Sequence, residues 1–203
     1  MPLITFGSTS TGRRLARWLC AGAAAFGLPP AHAQSMSYAL DPGHTLIQWE
    51  VQHFGTSTSR GRFTDVQGQV RLDPAAGTGE VAIVVGTASV SSGVPVLDGI
   101  LRGDDFLNAK AYPRAYFVSR QVRFENGRPA ELRGELTLRD VSMPFSLRAT
   151  HFNCYEPPDR PGQTVCGGDF EGELIRAEAG IIYGLPFVGN RVRLRVQVEG
   201  TRL

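Results

Sequence analysis

Arg191 to Glu199 reads RVRLRVQVE. Successive side chains of an extended chain point to opposite faces. Val192, Leu194, Val196 and Val198 therefore share one face, and Arg191, Arg193, Arg195, Gln197 and Glu199 share the other. A strand that is apolar on one side and charged on the other belongs to a half-buried antiparallel sheet.

The same period of two recurs upstream. In His44 to Phe54, Ile47, Trp49, Val51 and His53 alternate with Gln48, Glu50 and Gln52. Val66, Gly68, Val70 and Leu72 make a second strand that stops at Asp73-Pro74, and Val81, Ile83, Val85 and Thr87 a third, apolar on both faces. Ala115 to Phe124 forms a fourth, followed by Asn126-Gly127, a strong hairpin signal. Leu132, Leu136 and Leu138 mark a fifth strand, which Pro144 separates from Phe145, Leu147 and Ala149. Phe170 and Leu174 alternate within Val165 to Ile175, and Arg191 to Glu199 closes the series. Ser35 to Asp41 reads as a lead-in and Gly55 to Gly61 as a loop. The count is about eight strands with no βαβ rhythm, which an up-and-down barrel or a two-sheet sandwich satisfies. Many inward residues are of moderate size, and an eight-stranded barrel is just wide enough to hold one ligand.

One stretch breaks the pattern. Leu97 to Phe117, LDGILRGDDFLNAKAYPRAYF, places Leu97, Ile100, Leu101, Phe106 and Leu107 at roughly helical spacing, and Tyr112-Pro113 forces an extended backbone before the fourth strand. It reads as a short helix or pair of turns laid across the sheet between strands 3 and 4. Leu97, Ile100, Leu101 and Phe106 would border the interior, with Asp105 bracing the turn.

The first 33 residues read as an export signal: Arg13, Arg14 and Arg17, then an apolar run from Leu19 to Leu28, then Ala31-His32-Ala33 as the cleavage site. The run is too short to span a bilayer. Arg13-Arg14 leaves Sec and twin-arginine export both open. Residues 34–203 then form one domain. Of the chain's 21 basic and 19 acidic residues, three basic ones lie in the signal, so the remainder carries 18 against 19. That balance excludes a nucleic-acid partner held by bulk charge. The two cysteines left, Cys154 and Cys166, are an even number in an exported chain with turns between them, and a disulfide is expected. A redox pair usually has closer spacing, and structural zinc wants four ligands.

HTLIQWEVQHFG (44–55), GRFTDVQGQVRLD (61–73), LRGDDFLNAKAYPRAYF (101–117) and GELTLRDVSMPFSL (134–147) together resemble the YceI-like, polyisoprenoid-binding family of bacterial periplasmic proteins. The resemblance covers nearly all of residues 34–203. It implies an all-β, eight-stranded antiparallel, lipocalin-like barrel, located in the periplasm, whose apolar interior holds an isoprenoid or other long-chain amphiphilic lipid. The segment from Cys154 to Cys166 departs from part of that family.

Physical chemistry supports the same ligand class. Each buried methylene contributes about 0.8 kcal/mol, so a sixteen-carbon tail offers roughly 12 kcal/mol gross against an immobilisation cost of about 4 to 15. The candidate lining is Ile47, Trp49, Val51, His53, Val66, Val70, Val85, Leu101, Phe106, Phe117, Leu136, Leu147, Phe170 and Leu194. His53 is either a head-group contact at the pocket mouth or a buried neutral imidazole. Arg60, Arg62 and Arg102 are either contacts for a phosphate or carboxylate head or solvated surface charges.

No catalytic or metal-binding residues and no cofactor are assigned. There is no G-x-S-x-G, and His44, His53 and His151 lack metal-ligand spacing. A non-catalytic stress or interaction protein with a filled core, and a periplasmic hydrolase or redox accessory, are the competing readings. A transient inner-membrane partner and a homodimer are both left open by the sequence.

Overall fold

A computed structural model describes residues 1–3 and 35–203. The expected export signal and its cleavage site at Ala33 lie outside the described residues except for residues 1–3. Among the described residues eleven strands carry the fold: β1 (Met36–Leu40), β2 (Leu46–His53), β3 (Ser57–Phe63), β4 (Val66–Asp73), β5 (Thr78–Gly86), β6 (Val90–Ser91), β7 (Arg114–Glu125), β8 (Arg128–Leu138), β9 (Val141–Tyr155), β10 (Val165–Ile175) and β11 (Val188–Arg202). One helix, α1 (Pro95–Arg102), lies between β6 and β7. All pairings are antiparallel and belong to one sheet, which closes because β1 bonds both β4 and β11.

The eleven segments occupy eight wall positions. β1 and β2 lie end to end along β11: Tyr38 faces Arg202 and Leu40 faces Gly200, then Leu46 faces Gln197 and His53 faces Val188. β3 and β4 run end to end against β2 and β1, and β6 and β5 against β3 and β4. The result is a closed, eight-stranded antiparallel barrel with its short helix between the third and fourth positions.

Three neighbouring wall positions thus break at one level, at 41–45, 64–65 and 87–89. Bonds across the breaks stitch this seam together. Gly86 N–H donates to Asp65 O at 2.9 Å, Thr64 N–H to Ser89 Oγ at 3.2 Å, and Asp41 N–H to Glu199 O at 2.9 Å.

Two segments differ from the sequence expectation. The lead-in before Asp41 is strand β1, whose Met36, Tyr38 and Leu40 alternate in a run too short to stand out. The loop expected over Gly55 to Gly61 is largely β3. Its Ser, Thr, Gly and Arg residues show no apolar alternation because Trp49 of β2 covers the inner side: a methyl group on Gly61 would overlap the indole. Pro144 falls within β9, opposite Glu135, rather than before it.

α1 is fixed by polar contacts at both ends. Asp98 Oδ1 accepts from Ser92 N–H at 2.5 Å and Ser92 Oγ–H at 2.7 Å, and these donors hold its carboxyl below the usual carboxylate range. Arg102 donates to Ala88 O at 2.9 Å and Val90 O at 3.0 Å. Thr87 ties down the turns that follow the helix, donating from N to Pro113 O and from Oγ1 to Tyr112 O. The brace expected at Asp105 is therefore supplied by Asp98. Asp105 is exposed, since the turn after Gly103 carries it outward.

Candidate functional site

The barrel interior holds two clusters of apolar side chains. One gathers Tyr38, Leu72, Val81, Phe117, Leu132, Phe145, Leu147, Phe170 and Leu174; the other gathers Trp49, Val90, Leu107, Ala115, Leu138, Met143, Ala179 and Ile181. Neither is solid. A chamber of about 90 Å³ opens in the first and one of about 160 Å³ in the second. A buried water occupies roughly 10–15 Å³ on this measure, so each chamber admits several atoms of a guest. Ile47 lines both, which sets the chambers in succession along the interior.

The first chamber is walled by Val66, Val70, Phe117, Leu147 and Phe170 among the expected residues. Trp49, Val51, Val85, Leu101, Phe106, Leu136 and Leu194 wall the second. The strand positions among them follow the inward side of the β-alternation within each segment. Leu101 and Phe106 bring the α1 stretch over the second chamber, joined by Leu107. Leu97 and Ile100 do not reach it; Ile100 is half exposed on the outer side of the helix.

His53 is the exception. It is exposed, at the end of β2 where the chain enters a turn, and lines neither chamber. Its place in the alternation is inward, but the strand outruns the enclosed part of the barrel. Its exposure corrects the buried-imidazole reading and its place among the chamber-lining residues.

The expected arginines also lie elsewhere. Arg60 pairs on the outer face with Glu50, Nε to Oε1 at 3.2 Å, Arg62 is exposed, and Arg102 is spent on the backbone carbonyls around α1.

Sequence reasoning missed a different arginine. Arg176, in the short turn of helix after β10, is only 4% exposed and lines the second chamber. Its guanidinium donates to Gly189 O at 2.8 Å, Ile181 O at 2.9 Å and Val188 O at 2.9 Å. Burial pushes it below its usual range. The only available signal was a charge interrupting LIRAEAGII, where Glu178 follows Arg176 two residues on, and composition alone does not mark either as buried. Tyr38 and Leu40, which line the first chamber, were missed with β1, and Thr45, in the break that follows it, was missed as well.

Cys154 and Cys166 face each other across β9 and β10 and are joined as a disulfide, with Cα atoms 4.0 Å apart. Cys166 forms part of the first chamber's wall, and the Tyr38 hydroxyl lies 3.5 Å from its Sγ. Among the described residues no three His, Cys, Asp or Glu side chains gather as a metal site, and no helix is long and apolar enough to cross a membrane.

Beyond the second chamber the chain exposes a group of aromatic side chains. Phe54 stacks on Phe187 with ring centroids 5.3 Å apart, and Tyr183 meets Phe106 edge to face at 5.6 Å. The arrangement is a long apolar interior, with α1 and this aromatic group beside the second chamber.

Comparison with known proteins returns a match to the YceI-like domain over residues 38–200. A UPF0312 protein of Shewanella denitrificans is 32% identical over 178 residues, spanning 86% of this chain and 92% of the relative. The crystal structure of Burkholderia cenocepacia BcnA superposes with a TM-score of 0.63 at 18% identity, covering 79% of this chain and 98% of that one. A polyisoprenoid binding domain from Saccharophagus degradans, implicated in plant cell wall breakdown, superposes with a TM-score of 0.58 at 14% identity, covering 83% and 99%.

Proposed function

The chain belongs to the YceI-like domain family, and from that premise we propose that it is a periplasmic carrier holding an isoprenoid or other long-chain amphiphilic lipid inside its barrel. The observation that carries this reading is the pair of apolar chambers sharing Ile47. An elongated, almost wholly apolar space rewards a flexible hydrocarbon chain by burying methylenes, each contributing about 0.8 kcal/mol. The name of the Saccharophagus degradans neighbour points to the same ligand class. Export is supported by the sequence of residues 1–33 and by the disulfide, a bond that persists in an oxidising compartment. No catalytic role is assigned to any residue.

The test is native mass spectrometry of the purified protein together with organic extraction. A co-purifying long-chain lipid is the expected result. A protein that stays empty when offered prenyl and fatty ligands overturns the proposal.

A further inference from the structure

Among the described residues, Ile47 alone borders both chambers. On the strands around it the lining passes from one chamber to the other within a single inward step: Ile83 to Val85 on β5, Phe117 to Ala115 on β7, Val196 to Leu194 on β11. On β10 the step is double, from Phe170 to Leu174, and the inward position between them is Gly172. The space there is filled from β9: a methyl group on Gly172 would come within 2.7 Å of Phe145 Cζ. Phe145 is 6% exposed, borders neither chamber, and meets Phe117 edge to face with ring centroids 5.9 Å apart. Around the wall, β3/β4 and β5/β6 separate β2 from β7, and β11 and β10 separate it from β9. The aromatic pair therefore stands across the barrel from Ile47. Neither side swings freely, since a β-branched side chain is restricted about χ1 and the Phe145 ring is held between Gly172 and Phe117.

We infer that Ile47 is a specificity-determining residue: with Phe117 and Phe145 it forms a constriction that one hydrocarbon chain passes singly, so the ligand class is a single-chain lipid long enough to occupy both chambers in succession. This inference rests on the lipid-carrier reading and adds to it the length and shape of chain that the barrel accepts. Both chambers have apolar walls, so selection here is by length and cross-section rather than by hydrogen bonding. A chain too short to pass Ile47 buries its methylenes in one chamber. A longer one gains the other, roughly fourfold in affinity for each methylene that gets through. A chain with a bulky end stops at the constriction.

Two homologous series test this, octanoate to palmitate and geraniol to geranylgeraniol, each titrated into the full chain by calorimetry. In at least one series affinity should rise with length, and a terminal phenyl ring on its longest member should weaken binding roughly tenfold or more. Ile47→Phe narrows the passage: the shortest member should bind as in the parent, while the longest loses on the order of a hundredfold, equivalent to about four methylenes. Ile47→Ala widens it, and the phenyl-tipped chain should recover to near the affinity of the plain one. Long and short chains weakened by the same factor in Ile47→Phe, or a long chain unaffected there, overturn the role of Ile47 and leave the carrier standing. Should Ile47→Phe fail to fold, Ile47→Ala decides alone: a phenyl-tipped chain that recovers nothing overturns the inference. Binding of no member of either series to the parent overturns both.

Discussion

At the scale of single residues, two charged groups lie where the chain breaks or turns. His44 and Asp41 form a pair at the break between β1 and β2, Nδ1 to Oδ2 at 2.8 Å. The hydrogen bond holds the Asp41 carboxyl below its ordinary value of 3.8 and the His44 ring above its ordinary 6.5. Asp41 stabilises the fold above its unfolded value and loses that contribution as pH falls through its lowered folded value. His44 stabilises it below 6.5 and loses that contribution as pH rises through its raised folded value. The pair therefore acts together between those two ordinary values. NMR titration of the His44 ring should give a midpoint above 6.5, returning toward 6.5 in Asp41→Asn; an unshifted midpoint in the parent protein means the pair is not formed.

Arg176 shows the opposite use of charge, buried and tied to three carbonyls. Arg176→Met leaves those acceptors without donors, each costing about 1–3 kcal/mol. Urea denaturation should show a loss on the order of 3 kcal/mol or more; a loss below about 1 kcal/mol would mean that water or neighbouring N–H groups replace the guanidinium.

At the scale of elements, what was legible followed from geometry. The inward residues of β4, β5 and β10 could be read from alternation, whereas β9 changes parity at a bulge opposite Asp169 and Phe170, so that Phe152 turns inward after Leu147. β3 could not, since the apolar side chain serving its inner face, Trp49, belongs to β2. His53 was misplaced because alternation gives a direction and says nothing of where enclosure ends. The hairpin at Asn126-Gly127 was legible: both residues take positive φ, 51° and 74°, as such a turn requires. The equivalent turn at Arg139-Asp140, φ 54° and 59°, uses residues that do not announce it. Within α1, Asp98 is the acceptor that anchors the helix to Ser92. Asp98→Ala should lower amide protection throughout Pro95–Arg102 in hydrogen exchange while the barrel strands keep theirs; unchanged protection in the helix would assign its docking to Leu101 and Arg102 instead.

At the scale of the whole molecule, closure and the chambers act together. The disulfide closes a short loop, and its removal in Cys154→Ser/Cys166→Ser should cost about 3 kcal/mol by releasing the unfolded chain. Because Cys166 also walls the first chamber, lipid uptake should weaken as well; uptake unchanged in the double variant would show that this wall is held by the strands alone. The chambers can be blocked one at a time. Val70→Trp fills the first and Val51→Trp the second, and either should abolish binding of a sixteen-carbon ligand with modest loss of stability, because the added bulk enters empty space. A steep fall in melting temperature in both would indicate a filled core.

The seam at 41–45, 64–65 and 87–89 separates the wall into two courses over three of its eight positions. Along that arc, the girth of one course is not dictated by the ladder of the other, so residues can be inserted or lost at the joints without shifting register on either side. The two chambers can consequently be resized separately.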